Sequence, residues 1–109
     1  MTSKYRNVRV VHDGIQFDSI AESKRYAFLK LMQKAGEISD LEVQPGFKLE
    51  VNGKLICEYR GDFAYRDKQG RFVVEDVKGM QTPVFRLKAK LFEALKNFPI
   101  TVVGKGIRA

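Results

Sequence analysis

Tyr59-Arg60-Gly61-Asp62-Phe63-Ala64-Tyr65, then Arg66 to Gly70, then Arg71-Phe72-Val73-Val74-Glu75-Asp76-Val77-Lys78-Gly79 reads as two β-rich segments around a polar reversal. Aromatic and β-branched residues favour a pleated, half-buried backbone, and Asp67 to Gly70 supplies the turn, so the stretch predicts an antiparallel hairpin. Side chains alternate along a strand. Asp76 and Lys78 therefore share one face, and Glu75 and Val77 the other. Across a turn centred near Lys68-Gln69, Asp62 meets either Glu75 or Asp76, one residue of register apart. Opposite Asp76, the two Cβ atoms would lie ~4.5–5.5 Å apart. Like charges that close destabilise a hairpin, and a divalent cation between them reverses the sign.

Outward from this hairpin, Asp13-Gly14 within Val8 to Phe17 predicts an N-terminal hairpin. Ser19 to Ala35 predicts a helix with Ser19 as N-cap, an apolar stripe of Ala21, Phe28, Leu31, Met32 and Ala35, and Gly36 ending it in the left-handed region. Ile38 to Val43 is a strand closed by Gln44-Pro45-Gly46, and Phe47 to Val51 and Leu55 to Tyr59 flank Asn52-Gly53 as a further hairpin. Thr82-Pro83 opens a second helix. Its stripe is Val84, Leu87, Leu91, Leu95 and Phe98, widened by Phe85, Ala89 and Phe92, and Pro99 is expected to stop it. Ile100 to Val103 is a short strand. The expected fold is α/β (α+β): a mixed sheet flanked by two helices, with an N-terminal hairpin, in a single domain spanning 1–109.

The chain has 109 residues, 44% hydrophobic and 30% charged, a composition that builds its own core. No apolar run approaches the ~20 residues that cross a bilayer, so no membrane partner is expected. Met1-Thr2-Ser3-Lys4-Tyr5-Arg6 lacks the apolar core of a secretion signal. Cys57 stands alone, which excludes an intrachain disulfide framework and a Cys-rich zinc site and suits a reducing cytoplasm. Lys plus Arg number 20 against 13 Asp plus Glu, a net +7 that favours a phosphate backbone as partner. A basic surface serving only solubility is the competing reading.

The acids and the lysine carry the chemistry. Mg²⁺ takes few carboxylates and keeps several waters, so Asp62, Asp76 and the Val77 carbonyl are candidate ligands. Lys78 can orient a water or stabilise charge on a phosphate under attack. The plain alternative is that Asp62 caps a turn and Asp76-Val77-Lys78 is a solvated strand edge. Glu22 fits both a capping box with Ser19 and a further acidic ligand. Gln44 is a turn residue or points to the site; His12 is a surface hairpin residue or a ligand; Cys57 fits a small core or strand position. Tyr26, Tyr59 and Tyr65 pack internally or stack on bases. Arg86, Lys88 and Lys90 contact phosphates or form a solvated helix face, and Thr82 caps a helix whose N-terminus can approach a phosphate. Arg6, Arg9, Lys105 and Arg108 are candidate phosphate-binding arms.

The order Glu22, Asp62, Asp76-Val77-Lys78, then a basic helix, resembles the PD-(D/E)XK nuclease superfamily. Asp13 to Glu22, with Gly36-Glu37-Ile38-Ser39-Asp40-Leu41 and Gln44-Pro45, looks more narrowly like a family of small phage and prophage proteins, some similar to Holliday-junction resolvases. The likeness runs over about residues 5–103 and departs at one position: Gly61 stands where proline usually precedes the first Asp. It implies a restriction-endonuclease-like αβββαβ core with the site at one edge of the central sheet. It assigns metal ligation to Asp62 and Asp76, with Glu22 as an additional or water-bridged ligand, and gives Lys78 the transition-state role. The implied protein is a Mg²⁺-dependent DNA endonuclease, with Mn²⁺ substituting, that cuts branched DNA as a homodimer in the cytoplasm of a bacterial host. A nicking or structure-selective nuclease, a non-catalytic DNA-binding module and an RNA-processing nuclease are the competing readings.

Overall fold

A computed structural model describes residues 9–104; the expectations for Arg6, Lys105 and Arg108 lie outside the described residues. In chain order the elements are β1 (Val10–His12), β2 (Ile15–Phe17), α1 (Ile20–Lys34), β3 (Ser39–Val43), β4 (Gly46–Val51), β5 (Lys54–Arg60), β6 (Phe63–Arg66), β7 (Phe72–Lys78), α2 (Pro83–Lys96) and β8 (Thr101–Gly104). Asp13 and Gly14 close β1 onto β2, and Asn52 and Gly53 close β4 onto β5. All four take positive φ, as two-residue hairpin turns of the favoured twist require.

The central sheet runs β3-β6-β7-β8, with β7 and β8 parallel and the other pairs antiparallel. With the β4–β5 hairpin set aside, the order from α1 onward is αβββαβ. That hairpin continues the sheet, bent out of it. Val43 opposes Phe63 and Gly46 opposes Arg60, so one register spans both pairs. Between them the Gln44 N–H donates to the Asp62 carbonyl (2.8 Å) and the Gly61 N–H to the Pro45 carbonyl (2.9 Å). β3–β4 and β5–β6 are thus two long antiparallel strands that bend together at Gln44-Pro45 and Gly61-Asp62. Pro45 has no N–H to give a ladder, and Gln44 takes a left-handed φ of 56°.

The bend sends the hairpin to one face of the sheet. There Leu49, Tyr59, Ala64, Val74, Phe85, Phe92 and Ile100 form one core under α2. On the opposite face Phe17, Tyr26, Leu29, Ile38, Phe63 and Tyr65 form a second core under α1. Cys57 packs against the first core as a half-buried strand residue. The expected helix stripes hold in part: Phe28 and Met32 of α1, and Phe85, Ala89, Leu91, Phe92 and Leu95 of α2, pack in or against the cores, and the remainder needs correction. In α1 the buried pair is Tyr26 and Leu29, while Leu31 is exposed; in α2 it is Phe85 and Phe92, while Val84 and Leu87 are exposed. Helix α2 is rotated so that its aromatic rings, with the larger apolar area, face the sheet. Helix α2 also ends before Phe98, because Asn97 takes the left-handed cap and donates to the Glu93 carbonyl. Ser19, Gly36 and Thr82 take the cap positions expected of them. No described helix is long and apolar enough to cross a membrane.

One buried ion pair fixes α1 on the sheet. Glu75 is 1% exposed and sits on the α1 face of β7. Arg25 Nε donates to its Oε1 (2.8 Å) and Arg25 Nη2 to its Oε2 (2.6 Å), and the Tyr65 hydroxyl donates to Oε2 as well. Removing one partner of a buried, hydrogen-bonded pair strands the other, which costs ~3–5 kcal/mol. Glu75→Ala should therefore lose that much unfolding free energy in a urea titration. A change below about 1 kcal/mol would mean that the pair contributes no docking energy.

Candidate metal centre

The bend that removes β4–β5 from the sheet also sets the position of Asp62. Phe63 opposes Glu75, so one step further along the ladder Asp62 meets Asp76. The ladder itself is irregular here: the Asp62 N–H donates to the Glu75 carbonyl (2.9 Å), and the Asp62 carboxylate takes the Val77 N–H (2.6 Å to Oδ2). A side chain thus replaces a backbone acceptor, which fixes the Asp62 carboxylate beside Asp76. Of the two registers open to sequence reasoning, the structure takes the one that opposes the aspartates.

Asp76 is 4% exposed. The Tyr59 hydroxyl donates to its Oδ2 (2.5 Å), and the Lys78 ammonium lies 3.4 Å from its Oδ1. Lys78 also rests over the Phe85 ring, 4.7 Å from its centroid, so α2 supports the lysine from outside. Glu22, half-buried in the first turn of α1, reaches the same place from the other face. Its backbone N–H donates to Ser19 Oγ (3.1 Å), the N-cap bond of Ser19, which uses the main chain of Glu22 and not its side chain. Its carboxyl is held above the usual range by burial, reinforced by the charges of Asp18 and Asp76 and opposed by hydrogen bonds from Asp18 and Ser19. Its main chain thus satisfies the cap while its carboxyl lies near the aspartates.

Burial pushes the Asp62 carboxyl up to about 7; the Val77 N–H pulls against that, and the charges of Asp76 and Glu22 add to it. Burial also holds the Tyr59 phenol well above its usual range, aided by its bond to Asp76. Tyr59 is therefore a neutral donor at any ordinary pH. Gly61 completes the frame. A Cβ there would sit 3.1 Å from Val74 Cγ1 and 3.4 Å from the Glu75 carbonyl, and its N–H is committed to Pro45. Proline would lack that donor, which gives a physical reason for the departure from the resembled pattern.

Among the described residues no three His, Cys, Asp or Glu side chains close on one point as a ready-made metal cluster. The donor set suits a hard divalent cation nonetheless: two opposed carboxylates, each anchored through one oxygen, whose repulsion such an ion would relieve. The structure brings Glu22, Asp62, Asp76, Val77 and Lys78 together, and Val77 acts there through its N–H. It does not bring the other candidates to them. Lys88 donates to the Glu58 carbonyl (3.0 Å), and Arg9, Arg86 and Lys90 are exposed. Tyr26 and Tyr65 are buried and hydrogen-bonded to Asp13 and Glu75, and His12 stands edge-on to Tyr26.

A cleft of about 360 Å³ opens beside the acids, lined by Gln16, Asp18, Glu22, Gln44, Arg60, Gly61 and Asp62. Gln44 is both turn residue and wall, its side chain donating to the Gln16 carbonyl (3.0 Å). Sequence reasoning assigned no site role to Asp18, Arg60 or Gln16, and it weighed Tyr59 only for packing or base stacking. The Tyr59-x-x-Asp62 spacing was the available signal for Tyr59, readable once the bend is known.

The fold and this centre define a mixed α+β fold with paired carboxylates and a lysine where the two inner strands of the sheet meet the bend, not at the edge of the sheet that the resemblance implies. The chain belongs to the DUF1064 family, described as "Protein of unknown function (DUF1064)", whose family model matches residues 2–105. No curated protein and no solved structure matches it.

The raised Asp62 carboxyl has a consequence for stability. Between pH 3.8 and about 7 the unfolded chain has released a proton that the folded chain still holds. The contribution of this group is thus fully present below pH 3.8 and lost as pH rises through about 7. Asp62→Asn keeps an acceptor for Val77 but cannot ionise. In EDTA its melting temperature, relative to that of the unsubstituted chain, should climb between pH 4 and pH 8, and MgCl2 at pH 8 should narrow the gap. A difference that stays flat with pH would remove the charge opposition.

Proposed function

We propose that this protein is a divalent-metal-dependent DNA endonuclease of the PD-(D/E)XK type. The observation that carries the reading is the opposition of Asp62 and Asp76 at the sheet bend, with the Lys78 ammonium 3.4 Å from Asp76. The αβββαβ order and the net charge of +7 support it. Asp62 and Asp76 would hold Mg²⁺ or Mn²⁺, with the Val77 carbonyl and Glu22 completing or bridging the set. A bound ion supplies Lewis-acid polarisation and a more acidic water. The Tyr59 hydroxyl orients Asp76, and the Val77 N–H orients Asp62. Lys78, kept at the mouth by Phe85, faces a phosphate entering above Asp76 and stabilises charge that builds on it. We assign branched DNA, such as a Holliday junction, as the substrate. Two symmetric incisions at a junction call for a homodimer, and the setting is the cytoplasm of a bacterial host carrying a phage or prophage. Branch preference and dimer rest on the resemblance of Asp13 to Glu22 and of the Gln44-Pro45 region.

Labelled junction, flap, duplex and single-stranded DNA, each incubated with MgCl2, MnCl2 or EDTA, test this. Products should form only with metal and should be most abundant on the junction. Asp62→Ala, Asp76→Ala and Lys78→Ala should each lower cutting by roughly two orders of magnitude or more while junction binding persists. Binding without metal-dependent products on any substrate would replace the enzyme with a DNA-binding module, and faster cutting of RNA would make it an RNA nuclease.

A further inference from the structure

The cleft beside the acids is not filled by the chemistry just described. It is built from four parts of the chain: Gln16 on β2, Asp18 and Glu22 at the start of α1, Gln44 at the bend, and Arg60 to Asp62 on the other bent strand. Three of the side chains lining it are carboxylates, and Arg60 is the one cation among them. Such a lining repels an anion unless positive charge is placed on both sides of it. A metal ion at Asp62 and Asp76 would supply one side, and Arg60 the other.

Arg60 is built for that use. Arg25, Arg66 and Arg71 are engaged with Glu75, the Gly70 carbonyl and Asp67. Arg60 is exposed, and among the described residues its guanidinium makes no ion pair or hydrogen bond, so its donors are available. Its backbone is fixed by pairing with Gly46, which has no side chain to crowd it. Its neighbours in sequence are Tyr59, which holds Asp76, and Gly61, which packs against β7. A guanidinium with a free, planar set of donors matches phosphate oxygens in pairs. About 360 Å³ lies at the lower end of the range for small-ligand sites, a size suited to one unit of a chain.

We propose that this cleft is a subsite for the phosphodiester backbone of the bound strand, with Arg60 gripping the phosphate adjacent to the one at the carboxylates. The proposal rests on the endonuclease reading and deepens it by naming where the strand runs. It leads from the metal centre across Gly61 toward Gln44 and Gln16, which wall the far side of the cleft.

Fluorescence anisotropy on the full chain, with a labelled four-way junction and a labelled single strand, tests it across a salt series with CaCl2 and with EDTA. Arg60→Ala should weaken binding to both probes about five- to tenfold. It should also flatten the log K against log salt slope by roughly 0.9 on the duplex arms and 0.7 on the single strand, the loss of one phosphate contact. Arg60→Lys should keep the slope. Lys54→Ala, at the distant tip of the hairpin, should match the unsubstituted chain. An Arg60→Ala protein with unchanged affinity and slope overturns the subsite, as does an equal loss in Lys54→Ala, which would mean diffuse charge. Metal-dependent cutting by the unsubstituted chain is scored separately. If cutting occurs and Arg60→Ala binds normally, only the subsite falls. If no cutting occurs but the Arg60 effect is present, only the nuclease reading falls.

Discussion

The hydrogen bond from the Val77 amide to the Asp62 carboxylate is the constraint on which the site depends. A regular ladder would carry β5–β6 straight past β7 and leave the Asp62 side chain to its own rotamers. Instead the backbone departs, and the carboxylate takes over the vacated donor. The departure needs partners on the other strand: Pro45, which gives no amide, and Gln44, which accepts a left-handed backbone to make the corner. Gly61 needs its bare Cα because Val74 lies under it. Three residues of the bend, each chosen for a backbone property, thus fix one carboxylate. Strained positions of this kind are tolerated where the surroundings over-determine them.

Adjacent acids on β7 show how alternation separates structure from chemistry. Glu75 points into the α1 face, where Arg25 balances its charge and the neutral Tyr65 hydroxyl adds a further hydrogen bond. Asp76, one residue on, points to the α2 face and is met by a neutral phenol and a partly exposed ammonium. The first arrangement spends the charge of the carboxylate on holding a helix; the second keeps charge available at the surface of the sheet. Because α1 carries both Arg25 and Glu22, docking the helix through the first acid also carries a third carboxylate to the second.

Much of the fold was legible because its signals are local. Asp13-Gly14, Asn52-Gly53, Ser19, Gly36 and Thr82-Pro83 each specify a backbone conformation within a few residues, and the elements they bound are where they predict. The helix faces were less legible. A stripe of aliphatic residues and a stripe of aromatics run side by side on α2, and only the space under Tyr59 and Phe47 favours Phe85 and Phe92 over Val84 and Leu87. At the site, Asp62, Asp76 and Lys78 could be read from strand alternation, but the register between Glu75 and Asp76 could not, because both choices satisfy the same turn. The bond of Tyr59 to Asp76 and the place of Arg60 in the cleft were not legible, because they depend on a bend that no single residue announces. Gln44-Pro45 and Gly61-Asp62 are 16 residues apart and act as one corner only when paired.

The Asn52-Gly53 turn lies at the free end of the β4–β5 ribbon, away from the corner. Pairing in such a ribbon is counted outward from its fixed end, so adding residues to both arms equally leaves every partner near the corner as it was. The tip is therefore a place where length can drift over evolutionary time without disturbing the acids. It is also a natural position to graft a reporter peptide or tether the molecule to a surface.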